Sequence, residues 1–174
     1  MGISVNAIKE LRGLSSASIA DCKRALHDTE GDIKKAQELL RKRGLEKVAA
    51  KGERVAKEGR VEAYVHHGNK IGVLLELDCE TDFVAKNEAF AQFAKDVAMQ
   101  IAACNPMYLK REDVPEDILK HEKNKEEFYK ASCLLDQVFI KDPSLSINDY
   151  LGSLVAKFNE KIVVRKFTRY KIGE

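Results

Sequence analysis

A strand-like run at residues 71–77 ends in acids at 78, 80 and 82, and a helical stripe begins within the next dozen residues. The stripe is Phe90, Phe93, Ala94, Val97 and Ile101, at i, i+3, i+4, i+7 and i+11. That spacing belongs to a helix with one face packed on a core, not to a cofactor box. Asn87 is of the residue type that caps a helix start, and Asn105-Pro106 supplies a stop. A buried strand must therefore hand over to a core helix across residues 78–87, and the remaining chain has to supply partners for both. Between them lies Thr81-Asp82-Phe83-Val84, which puts a large ring at the junction and not inside either element. Such junctions lie at the surface and commonly carry function, because a rigid scaffold positions them. Spacing alone leaves Phe83 open between a ring folded into the core and an anchor for a partner.

The flanking sequence supplies a sheet. Val61, Ala63 and Val65 alternate with Glu62, Tyr64 and His66, and His67-Gly68-Asn69-Lys70 turns the chain into the 71–77 strand. The returning strand is more apolar, which predicts burial on both of its faces. Residues 160–170, rich in β-branched and aromatic side chains, read as a last strand, preceded by a short helix carrying Ile147, Leu151, Leu154, Val155 and Phe158. Pro115 followed by acids predicts a helix start, and 115–137 reads as one charged helix.

Upstream, residues 4–43 read as three short helices. Ile8, Leu11 and Leu14 serve the first, and Ser15-Ser16-Ala17-Ser18 breaks the pattern. Ser18 caps a second helix bearing Ile19, Cys22, Ala25 and Leu26, with Asp21 placed to meet its dipole. Asp32 caps a third, with Ile33, Ala36, Leu39 and Leu40 on one face and Gly44 as its stop. The fold class expected is α+β: a small three-helix N-terminal domain of ubiquitin-associated type, then an antiparallel sheet flanked by helices. The boundary is placed near residue 54, giving 1–54 with a basic linker helix and 55–174 as the core.

Charge is uneven although the total is only +2. Residues 1–60 hold 14 Lys or Arg against 9 acids, net +5, which leaves −3 for the remainder. The most basic stretch, 41–60, carries Arg41, Lys42, Arg43, Lys47, Lys51, Arg54, Lys57 and Arg60. An RNA-contacting helix is one reading. A solvated connecting helix is favoured, because Glu46, Glu53 and Glu58 are interspersed and no aromatic is present to stack on bases.

Other function classes find little support. The four histidines have no matched nucleophile at a known spacing, and the glycines are too dispersed for a phosphate-cradling loop. His66 and His67 are adjacent on a strand and point to opposite faces, so they cannot chelate one ion together. Asp78, Glu80 and Asp82 lack the Gly-turned spacing of a calcium loop. No run approaches the roughly 20 apolar residues of a membrane span, and the start of the chain does not resemble a signal peptide. Cys22, Cys79, Cys104 and Cys133 are widely spaced and read as free thiols in a reducing cytoplasm. The chain is not expected to be an enzyme or to need a cofactor or metal.

The stretch Cys79-Glu80-Thr81-Asp82-Phe83-Val84-Ala85-Lys86-Asn87-Glu88 resembles the signature of the elongation factor Ts family. Lys9-Glu10-Leu11-Arg12, Asp21-Cys22-Lys23-Arg24-Ala25-Leu26 and Gly31-Asp32-Ile33 resemble the family's N-terminal domain in order and spacing. The likeness covers residues 6–108 and 134–174. Ser16 and Ser18 stand where the family usually has glycines, and 109–133 is short for it. This resemblance implies a nucleotide exchange factor whose partner is elongation factor Tu. Phe83 would wedge near the Mg²⁺ side of the GTPase nucleotide site, with Thr81 and Asp82 fixing its direction and Val84 packing beside it. Lys9, Arg12, Ile19 and Lys23 would grip a neighbouring helix of the GTPase. A homodimer is implied by the family's compact members, and no direct nucleic-acid partner is expected. The rival readings are a ribosome- or RNA-associated protein acting through 41–60, and an adaptor built on the N-terminal bundle.

Overall fold

The computed structural model describes residues 3–15, 17–51 and 54–174, without the side chains of residues 47–49. Expectations that involve Met1, Gly2, Ser16, Gly52, Glu53 or the Lys47 side chain lie outside the described residues. In chain order the elements begin with α1 (Val5–Ser15), α2 (Ile19–Asp28), α3 (Ile33–Ala50), β1 (Glu58–Val65), β2 (Ile71–Cys79) and α4 (Asp82–Ala85). They continue with α5 (Glu88–Cys104), α6 (Glu116–His121), α7 (Lys125–Ser132), β3 (Val138–Phe139), β4 (Asp142–Ser146), α8 (Ile147–Phe158) and β5 (Val163–Lys171). Helices and antiparallel strands occur together in one α+β chain. They group into two compact units, Met1–Val55 with Asp149–Ile162, and Ala56–Asn148 with Val163–Glu174.

In the first unit Leu11, Ala17, Cys22, Ala25, Leu26, Ala36 and Leu40 form a small core shared by α1, α2 and α3. Leu14 is exposed, so the apolar face of α1 ends at Leu11. Ser18 Oγ accepts a hydrogen bond from Asp21 N at 3.1 Å, and Asp32 Oδ1 accepts one from Lys35 N at 3.0 Å. The expected caps are therefore in place. Gly44 does not stop α3, which runs on to Ala50. A Cβ on Gly44 would meet the Gly152 carbonyl oxygen at 2.9 Å, and one on Gly152 would lie 3.4 Å from the Gly44 carbonyl carbon. Both glycines are used for a backbone-to-backbone crossing of α3 with α8. That crossing accounts for residues 149–162 joining this unit, a long-range partnership that 55–174 taken as one piece does not contain. Arg41 pairs with Asp149 at 3.4 Å, and Lys51 Nζ donates to the Asn159 carbonyl at 2.7 Å.

In the second unit the sheet order is β1-β2-β5, antiparallel throughout. The inner face presents Val73, Leu75, Leu77 and Cys79 of β2 and Val164 of β5, all buried. The whole expected stripe on α5, from Phe90 to Ile101, is buried as well, and α5 packs on β1 and β2. Each Phe buried this way contributes on the order of 1.5–3 kcal/mol. One expectation is corrected. Leu74 is half exposed, so β2 is buried on one face only. In β1 the apolar residues point outward, with Val61 66% and Val65 62% exposed, while Glu62 is buried. Period-two alternation cannot say which set faces in, and the inward Glu62 is satisfied by Arg60 Nη2 at 2.7 Å.

The single helix expected over 115–137 is two short ones. The chain is extended at Glu122, and Asn124 recaps it by accepting from Glu127 N at 3.3 Å. Arg111 ties the segment together, bonding Asp136 at 2.6 Å and Glu126 at 2.9 Å with its guanidinium 4.7 Å over the Tyr129 ring. The β3–β4 ladder was not foreseen. Gln100, fully buried on α5, holds it by donating to the Val138 carbonyl at 3.1 Å and accepting from Ile140 N at 3.0 Å.

Candidate functional site

The junction between β2 and α5 is a four-residue helical turn, α4, capped at both ends. Thr81 is extended (φ −127°, ψ 152°), and its hydroxyl oxygen accepts from Val84 N at 3.4 Å. Its carbonyl accepts from Ala85 N at 3.2 Å. At the other end Asn87 N donates to the Val84 carbonyl at 3.0 Å, while Asn87 Oδ1 accepts from Ala89 N at 2.9 Å and so starts α5. One turn of helix is too short to persist by itself. Its direction is inherited from the sheet and helix that clamp it.

The four predicted residues of this turn separate by role. Val84 is 2% exposed and is the apolar anchor that fastens the turn to the core. Its side chain packs inward, beneath the exposed ring of its neighbour. Phe83 is 75% exposed, so the core-ring alternative is overturned. Single exposed apolar side chains are ordinary. This one stands on a turn whose backbone is fixed on both sides, which is what distinguishes it. Thr81 and Asp82 are exposed beside it.

The electrostatics are local. Asp82 Oδ2 accepts from Lys86 Nζ at 2.7 Å, one helical turn on. That bond holds the Asp82 carboxyl below its usual range and pushes the Lys86 ammonium up. Asp78 is paired with Arg165 of β5 at 2.7 Å, just past a register shift between Glu76 and Leu77. The acids at 78 and 82 are thus each matched by a cation. Among the described residues no group of His, Cys, Asp and Glu is arranged to hold a metal ion.

Lys9 and Arg12 on α1 and Ile19 and Lys23 on α2 are all solvent-exposed. They belong to the first unit, whereas 81–84 belong to the second. Ile19 and Lys23 share a face at i, i+4. Two exposed apolar residues of α1, Val5 and Leu14, were not foreseen as surface groups. Nothing in their spacing separates an outward from an inward leucine. No helix among the described residues is long and apolar enough to cross a membrane.

Comparison with known proteins places this geometry in context. A family model described as elongation factor TS matches residues 5–127. The elongation factor Ts of Caldanaerobacter subterraneus subsp. tengcongensis is 45% identical, over 99% of this chain and 98% of that protein. That of Desulfitobacterium hafniense is 47% identical over 99% and 90%, and that of Thermodesulfovibrio yellowstonii 45% over 100% and 98%.

Proposed function

This chain belongs to the elongation factor Ts family of translation elongation factors, and from that premise we propose that it drives guanine-nucleotide exchange on elongation factor Tu. The three N-terminal helices act as a ubiquitin-associated-like domain, and the unit that holds the sheet acts as the core and dimerisation domain. An exchange factor makes and breaks no covalent bond. It must bind the nucleotide-free GTPase better than the nucleotide-bound one, because only differential affinity shifts the equilibrium. By reciprocity, the same coupling lets incoming nucleotide displace the factor.

The observation that carries the reading is an exposed Phe83 on a turn fixed to the sheet and to α5. Phe83 enters between helices of the GTPase and disturbs the side that holds Mg²⁺. Loss of that ion removes the main charge partner of the GDP phosphates. Thr81 and Asp82 set the direction of the ring. Lys9, Arg12, Ile19 and Lys23 grip a helix of the GTPase and supply affinity. The RNA-binding rival is weakened by how the cations of 41–60 are used: Arg41, Arg43, Lys51 and Arg60 bond Asp149, Asp28, the Asn159 carbonyl and Glu62.

The test is release of fluorescent GDP from elongation factor Tu in stopped flow. Acceleration by orders of magnitude at micromolar factor is expected. No acceleration, with salt-sensitive RNA binding in its place, would turn the assignment over to the basic stretch.

A second copy of the chain covers the outer sheet face, where Val61, Val65, Leu74 and Tyr170 are exposed. Two such faces pack about 10 Å apart as a sandwich. Leu74→Glu puts a charge in the middle of that layer and is expected to convert a dimer to a monomer in analytical ultracentrifugation. A wild-type monomer at tens of micromolar would remove the dimer.

A further inference from the structure

We infer that the buried thiol of Cys79 is a positioning donor that aims the Phe83 turn; this inference rests on the exchange reading above. Cys79 is the last residue of β2, fully buried, and paired in register with Glu58 of β1. Its Sγ donates to the Thr81 carbonyl at 3.1 Å. The same carbonyl accepts Ala85 N at 3.2 Å, the first backbone bond of α4. One oxygen is therefore held from the sheet side by a thiol and from the helix side by an amide.

Two further ties of the turn are different in kind. The Thr81 hydroxyl reaches Val84 N only at 3.4 Å, a long and weak bond. Val84 fastens the turn by apolar packing, which has little directional preference. The thiol bond is directional and starts from a side chain locked in the sheet interior. It fixes the rotation of the Thr81 peptide, and through it the azimuth at which Phe83 leaves the surface. A thiol is a weak donor, so its loss changes the aim of the turn more than the stability of the fold.

The experiment compares the full-length wild type with Cys79→Ala, which removes the sulfur and with it the donor, and Cys79→Ser, which keeps a donor in a side chain of nearly the same shape. In GDP release from elongation factor Tu, Cys79→Ala is expected to lower the rate at saturating factor by about three- to tenfold, the size of one hydrogen bond. The concentration for half-maximal effect stays unchanged, and Cys79→Ser recovers most of the rate. Equal rates for all three proteins would overturn the inference. So would equal losses in both variants that track their melting temperatures, since the thiol would then be packing only. Amide exchange at Ala85, followed by NMR in the free protein, gives a readout independent of the GTPase. Exchange about tenfold faster in Cys79→Ala but not in Cys79→Ser supports the positioning role even if the wild type fails to release GDP, in which case the exchange reading alone falls. Unchanged Ala85 exchange in both variants sinks the positioning role.

Discussion

Phe83→Ala is expected to lower factor-stimulated GDP release by about 100-fold or more, the scale of a central aromatic anchor lost from an interface. Its melting temperature is expected to stay within about 2 °C of wild type, as for a surface substitution. The two halves of this result depend on each other. Phe83 is three-quarters exposed in the free protein, so alanine leaves no cavity behind. Val84, the Thr81 cap and the Asn87 cap remain to hold the turn. The lost free energy must then come from the complex. Phe83→Leu, which keeps apolar volume but not the flat ring, should fall between the two. A melting temperature lowered by many degrees would mean that the ring packs inward in solution. Full activity in Phe83→Ala would remove the wedge and leave the grip to Lys9, Arg12, Ile19 and Lys23.

What was legible in the sequence is what short-range physics determines. The caps at Ser18, Asp32 and Asn87 depend on residues two or three positions away, and all three hold their backbone amides. The α5 stripe depends on a period of 3.6 and a single sheet to bury it. Three features escaped because their causes lie far along the chain. Gly44 has the composition of a helix stop, but α8, more than a hundred residues later, crosses α3 there and needs a position without a Cβ. The alternation in β1 was legible in period, but not in phase, since the phase is set by which face α5 covers. The break at residues 122–124 turned on one side chain, Asn124, whose capping competes with continuation of a charged helix. At the site itself the motif located the turn, whereas the division between Val84 as anchor and Phe83 as exposed ring required knowing which way the turn rolls on β2.

That dependence of the turn on β2 makes Gly59 a sensitive position outside the turn. Gly59 pairs with Asp78 at the end of the strand that leads into Cys79. A Cβ built there would clash with the Leu77 carbonyl oxygen and lie 2.8 Å from the Asp78 Cα, both backbone atoms. Neither can rotate away, so Gly59→Ala has to push β1 off β2. The residue also has φ +155°, which adds backbone strain for any L side chain. Overpacking against immovable atoms together with that strain is expected to cost about 3 kcal/mol or more. For a chain of this size such a loss lowers the melting temperature by about 6–12 °C. Gly68→Ala is the matching control: its φ is +89°, but nothing lies within 4 Å of its Cβ position, so only strain of about 1–2 kcal/mol applies. Because the β1–β2 pairing lost there is the one that holds Asp78 and Cys79 in front of the turn, Gly59→Ala should also slow stimulated GDP release at temperatures where it is still folded, and Gly68→Ala should not. Equal melting temperatures for the two variants would mean that β1 gives way freely at Gly59, and the support of the Phe83 turn would then have to come from α5 and β5 alone.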